Sequence, residues 1–206
     1  MRGMSNVKSI QTSTRGRPRE FDADAALDAL TGLFWQKGYE ATSVTDIVQA
    51  SGINKSSLYN AYGSKQDLFR IVLSRYVELR MDALAEMADM SSRGGLESLH
   101  SFLDAIREFG RAGCLAVNTS TELGTSDAAV AKLAQDYRDR TRSSLHKIVV
   151  AVTLKSGLAS ERIESRTDML LTFLLGFSVA VRGGANDDEV NRLIEAAHDT
   201  VDSWSV

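Results

Sequence analysis

An all-α fold is predicted, on three observations. Apolar residues recur at helical spacing along most of the chain, no strand-like alternation of useful length is present, and Pro18 is the only proline among 206 residues. Proline removes a helix hydrogen bond and clashes with the preceding turn, so its scarcity favours long uninterrupted helices.

The elements follow in order. Residues 1–20 show no apolar periodicity and are expected to be mobile. The first helix is capped by Asp22, carries Ala26, Leu27, Leu30, Leu33 and Phe34 at helical spacing, and stops at Gly38. Ser43 and Asp46 form a capping box, in which each satisfies an orphan amide of the other, and open a helix of about two turns ending at Ser51-Gly52. Asn54 caps a second short helix through Tyr62, and Gly63 ends it. Ser64 with Asp67 repeats the capping arrangement and opens a long helix bearing Leu68, Ile71, Val72, Tyr76 and Leu79.

Beyond it, Leu96, Leu99, Phe102, Leu103, Ile106 and Phe109 make one stripe, interrupted by Gly110 and Gly113 before a helical stretch from Cys114 to Leu123. Ser126 or Asp127 starts a long helix with Val130, Leu133, Tyr137, Leu145, Ile148 and Val152, closed by Gly157. Two final helices are expected at about 160–182 and 187–204, separated by Gly183-Gly184.

Composition narrows the class. A hydrophobic share of 43% with 25% charged residues is ordinary for a soluble globular protein. The single cysteine, Cys114, excludes an intramolecular disulfide and fits a reducing cytosol, so a cytoplasmic location is expected. The longest nearly apolar run, 169–181, is too short to span a bilayer, and no membrane partner is expected. The basic N-terminal stretch is read as an arm rather than a targeting peptide, because its arginines cluster against the first helix. The first 70 residues carry nine Lys/Arg against seven Asp/Glu, and the rest carry fifteen against twenty. A basic front and an acidic remainder suit a chain whose N-terminal part meets a polyanion.

The two short helices broken at Gly52 hold the strongest functional pattern. A helix, a glycine corner and a second helix are what a helix-turn-helix requires. The corner favours positive φ, which glycine adopts without steric penalty. Ile47, Ile53 and Leu58 can form the apolar wedge that sets the angle. The second helix then offers Lys55, Ser56, Ser57, Tyr59 and Asn60, a polar face whose short side chains permit entry into the major groove. Arg15, Arg17 and Arg19 precede the first helix, and such an arm can enter a minor groove.

The stretch 15–69 closely resembles the DNA-binding domain of the TetR/AcrR family of bacterial transcription regulators. The resemblance lies in Arg17-Pro18-Arg19, Lys37-Gly38-Tyr39, Thr42-Ser43-Val44, Asp46-Ile47, Ala50-Ser51-Gly52-Ile53, Leu58-Tyr59, Ser64-Lys65 and Leu68-Phe69. It implies a flexible basic arm over 1–19, a helix-turn-helix DNA-binding domain over 20–66 with its motif at about 43–62, and a helical effector-binding and dimerisation domain over 67–206. It implies DNA contacts from Arg17, Arg19, Thr45, Lys55, Ser56, Ser57, Tyr59, Asn60, Tyr62 and Lys65. Ala61 departs from the pattern, which often has histidine or tyrosine there, so one backbone contact is expected to be missing or supplied by a neighbour. "GCLAVNTSTEL", 113–123, is similar to a segment of one branch of the family.

The resemblance also implies that the last two helices pair with those of a second subunit. A C2 dimer would place two recognition helices on successive major grooves, roughly 34 Å apart, over a near-palindromic operator. The expected partners are thus double-stranded operator DNA, a second copy of the chain and an unidentified small-molecule effector. The expected function is that of a dimeric repressor released by its effector.

Phe102, Phe109, Cys114, Asn118 and Tyr137 are candidates for the effector pocket, with Leu115 and Leu145 beside them, although an aromatic on an apolar stripe is more often core. No cofactor is expected. His100, His146 and His198 lack a second ligand at i+3 or i+4, so no metal site is expected. The phosphate-binding, nucleophile-elbow and zinc-protease motifs are absent, and no enzymatic activity is expected. The competing reading is a helical adaptor that binds protein instead of DNA.

Overall fold

The computed structural model describes residues 22–91, 95–108, 113–153 and 159–205. Among these, nine α-helices follow one another without a strand: α1 (Ala23–Lys37), α2 (Val44–Ser51), α3 (Lys55–Tyr62), α4 (Lys65–Ser91), α5 (Leu96–Glu108), α6 (Leu115–Leu123), α7 (Ala128–Thr153), α8 (Ser160–Arg182) and α9 (Asp187–Asp202). A 3₁₀ turn, Ser203–Ser205, ends the described chain. No described helix is long and apolar enough to cross a membrane.

Local chemistry places the breaks. Asp22 accepts the amides of Asp24 and Ala25 to open α1, and Asn54 accepts that of Ser57 to open α3. Between them Ser43 accepts the Asp46 amide while Asp46 accepts that of Ser43, and Ser64 and Asp67 repeat the exchange ahead of α4. Gly52 sits at φ 67°, ψ 6°, the left-handed conformation that ends α2. Of the two residues offered as the start of α7, Asp127 is the cap, accepting the amides of Ala129 and Val130.

Two apolar cores result. The first joins α1–α4 to α6 and part of α7: Leu30, Phe34, Ile47, Leu58, Leu68 and Phe69 are sealed from solvent and pack with Tyr76, Leu115 and Tyr137. Phe34 meets Phe69 edge-on at 4.9 Å between ring centres. The second unites α5, α7, α8 and α9 through Leu99, Leu103, Leu145, Leu170 and Ile194. The expected stripe on α4 is only partly inward, since Ile71 is 40% and Leu79 56% exposed. Leu68, Phe69, Val72, Leu73, Tyr76 and Val77 do the packing instead, because α4 meets α1 and α3 on one side and α7 on the other.

Candidate nucleic-acid interface and internal cavity

α2 and α3 meet at the Gly52 corner around Ile47, Ile53 and Leu58, all buried. With that face turned inward, Lys55, Ser56 and Asn60 are exposed on α3, and Thr45 is exposed on α2. Ser57, Tyr59, Tyr62 and Lys65 are half-buried at its margins. Lys55 lies over the Tyr59 ring at 5.9 Å, and Lys65 over the Tyr39 ring at 4.2 Å. These contacts orient two cations beside the polar face of α3. Arg17 and Arg19 lie outside the described residues.

Charge fixes the helix ends that support this face. Lys37 reaches Asp46 at 2.8 Å; that bond, followed by those from the Ser43 amide and hydroxyl, holds the Asp46 carboxyl well below the usual range. The Ser64 hydroxyl and amide likewise lower Asp67. The α2 and α4 entries therefore keep anionic caps at the positive ends of their helices.

α4 is riveted to α7 by a nearly inaccessible carboxylate. Asp127 takes three guanidinium contacts from Arg70, at 2.9–3.2 Å, and one amide contact from Gln66 at 2.7 Å. Arg70, with the Val130, Gln66 and Ala129 donors, holds Asp127 at about 2 against the opposing effect of burial.

Between α4, α5, α7 and α8 lies a cavity of about 70 Å³, walled chiefly by Met81, Leu84, Met87, Phe102, Ile106 and Phe177. Its polar edge is Arg80, Gly113, Cys114, Tyr137 and Ser178. Tyr76 donates to Cys114 Sγ at 3.5 Å and accepts the Leu115 amide at 3.3 Å. Burial, reinforced by the neighbouring Cys114, pushes the phenols of Tyr76 and Tyr137 up, so both are neutral donors. Three of the pocket candidates, Phe102, Cys114 and Tyr137, thus come together. Asn118 is not on the lining, because it sits on α6 behind Gly113; Phe109 lies outside the described residues. Leu115 and Leu145 are core residues of the first and second clusters.

Sequence spacing did not expose the cavity-lining residues of α4 and α8. Each carries several apolar faces, so periodicity does not mark which one meets a void. Nor did it show that His100 and His198 meet. Their rings stack at 4.8 Å, with Nδ1 atoms 2.5 Å apart, while Asp202 and Asp104 take their outer nitrogens. No group of three or more metal-ligating side chains able to hold an ion occurs among the described residues.

Comparison with known proteins agrees with this geometry. Residues 26–72 match the family described as bacterial regulatory proteins, tetR family. The chain is 31% identical to the HTH-type transcriptional repressor ComR of Escherichia coli K12, over 93% of this chain and 92% of that protein. It is 28% identical to the repressor BdcR of the same organism, over 89% and 91%. A solved structure of CifR, a TetR family transcriptional regulator with substituted cysteines, complexed with 26-bp double-strand operator DNA, superposes with a TM-score of 0.71. It is 27% identical and covers 91% of this chain and 100% of that one. From helix-turn-helix to C-terminal helices, the chain belongs to the TetR family of DNA-binding transcriptional regulators.

Proposed function

We propose that the chain is a dimeric repressor that leaves its operator when a small, largely apolar effector enters the α4–α8 cavity. In this reading 1–19 is a basic arm, 20–66 the reader and 67–206 the effector-binding and dimerisation part. The observation that carries the reading is the exposed polar face of α3, set out from its scaffold by the buried Ile47–Ile53–Leu58 wedge behind the Gly52 corner. Lys55, Ser56, Ser57, Tyr59 and Asn60 supply base and phosphate contacts from it, with Thr45, Tyr62 and Lys65 at its edges and Arg17 and Arg19 from the arm. Repression is supported by the names of ComR and BdcR, and operator binding by the CifR complex. A cytoplasmic site of action accords with a DNA partner.

A second copy is supported by the outer face of α8. Thr172, Gly176 and Val179 are exposed there, Val179 to 52%, and a side chain added at Gly176 would meet nothing within 4 Å. Glycine inside a helix costs about 1 kcal/mol relative to alanine. No packing within the chain requires it, so close approach by another helix is the natural reason. α4 runs from the cavity wall at Met81, Leu84 and Met87 to Leu68 and Phe69 in the reader, and a tilt of it changes the spacing of the two recognition helices.

The test begins with selection of bound duplex from a random-sequence library. Tyr59→Ala and Lys55→Ala should weaken binding to the selected duplex while sedimentation still shows a dimer, whereas Gly176→Leu should shift sedimentation toward monomer. Retained affinity in both reader variants would overturn the interface. A protein that selects no duplex, or whose binding ignores salt, would be the helical adaptor instead.

A further inference from the structure

The cavity wall and the anchorage of α1 are built from the same residues. Gly113 lines the cavity, and its carbonyl accepts the Trp35 indole N–H of α1 at 2.7 Å. Ser178 lines it too; one turn further along α8, Arg182 donates to the Trp35 and Gln36 carbonyls at 3.0 and 2.9 Å. Those carbonyls are orphan acceptors at the negative end of α1, so a guanidinium there both satisfies and neutralises them. Tyr76, bonded to Cys114 in the cavity wall, meets the Trp35 ring edge-on at 5.6 Å. From α6, Glu122 accepts the Tyr39 and Glu40 amides at 3.1 and 2.8 Å, holding the turn that follows α1.

The wall has no slack at this point. A side chain on Gly113 would lie 2.5 Å from the Ser178 carbonyl oxygen and 3.4 Å from Arg182 Cβ. At about 70 Å³, the void is roughly half the ~150 Å³ that accepts benzene in an apolar core. An occupant that presses on this side of the cavity bears on Gly113 and Ser178, which cannot yield without disturbing Trp35 and Arg182.

We propose that Trp35 and Arg182 are positioning residues that transmit cavity occupancy to the DNA reader through α1, a second path beside α4. The inference rests on the cavity being the effector site. When the wall spreads, the two bonds at the end of α1 and the indole bond loosen together. α1 packs on α2, and α2 on α3, in one buried cluster that holds Phe34, Ile47 and Leu58, so the recognition helix shifts with α1.

The experiment is a double-mutant cycle on the full chain with the selected duplex, read by fluorescence anisotropy. Cys114→Met lengthens a wall side chain by two heavy atoms and stands in for an occupant. Where that variant folds poorly, S-methylthiolation of wild-type Cys114 with methyl methanethiosulfonate gives a side chain of the same length. Filling should weaken duplex binding at least tenfold in the otherwise native chain. In Trp35→Phe and Arg182→Gln backgrounds it should change binding less than threefold, and Arg182→Lys, which retains one cationic donor, should restore part of the response. A full response in both backgrounds would overturn the α1 path and leave the effector reading standing. An unchanged affinity on filling in the native chain would remove the effector reading, and the path with it. Loss of thermal stability in Trp35→Phe equal to its loss of response would show a merely structural role and likewise overturn the proposal.

Discussion

Replacing Asp127 by asparagine removes the charge from the α4–α7 rivet while retaining a side-chain oxygen for the Ala129 and Val130 amides. The Asp127 side chain is only 3% exposed and that of Arg70 35%, so solvent screens their pairing in part. An acid held at about 2 instead of the ordinary 3.8 contributes about 2 kcal/mol at neutral pH, at ~1.4 kcal/mol for each pH unit between the two values. The folded value is the depressed one, so the contribution is complete above the unfolded value and is lost as pH falls through 4 toward 2. The wild-type advantage over Asp127→Asn should be about 2 kcal/mol at pH 7, about 1 at pH 3 and under ~0.5 at pH 2. Urea titrations at fixed protein concentration measure it, and fixed concentration matters because association would shift apparent stability by mass action. At pH 7 the corresponding loss of Tm is about 4–8 °C for a chain of this size. A difference that stays constant from pH 7 to pH 3 would refute the charge pair as its origin.

Four further outcomes are expected. Ser43→Ala removes half of the α2 capping box and should cost about 1 kcal/mol by urea unfolding. Phe34→Ala empties a fully buried site against Phe69 and should cost about 3–5 kcal/mol, read as lost helicity and lost duplex binding. Gly52→Ala meets open space and carries only the left-handed strain of about 1–2 kcal/mol, whereas Gly113→Ala adds a backbone clash at 2.5 Å and should destabilise more in the same assay. Lys55→Ala should reduce the slope of log affinity against log salt by about 1, and an unchanged slope would place Lys55 away from phosphate.

The reader was legible because its determinants are local. Asp22, Ser43, Asn54 and Ser64 each act on amides two or three residues away, and Gly52 acts on its own φ. The α3 face followed from the same short-range pattern. The cavity was half legible: aromatic stripes pointed to Phe102 and Tyr137, but an inward side chain lines a void or packs a core according to what faces it. Leu115 and Leu145 fell on the other side of that distinction.

By itself the sequence determined which segments are helical, where they stop and which face of α3 stays polar, since capping, glycine conformation and apolar periodicity operate within a few residues. Only the tertiary structure decided that Arg70 and Gln66 share Asp127, that His100 stacks on His198, and that Arg182 closes the end of α1 from well over a hundred residues away. Those pairings depend on how whole helices cross. A polar residue on a helix face carries no mark of the partner that packing will bring to it.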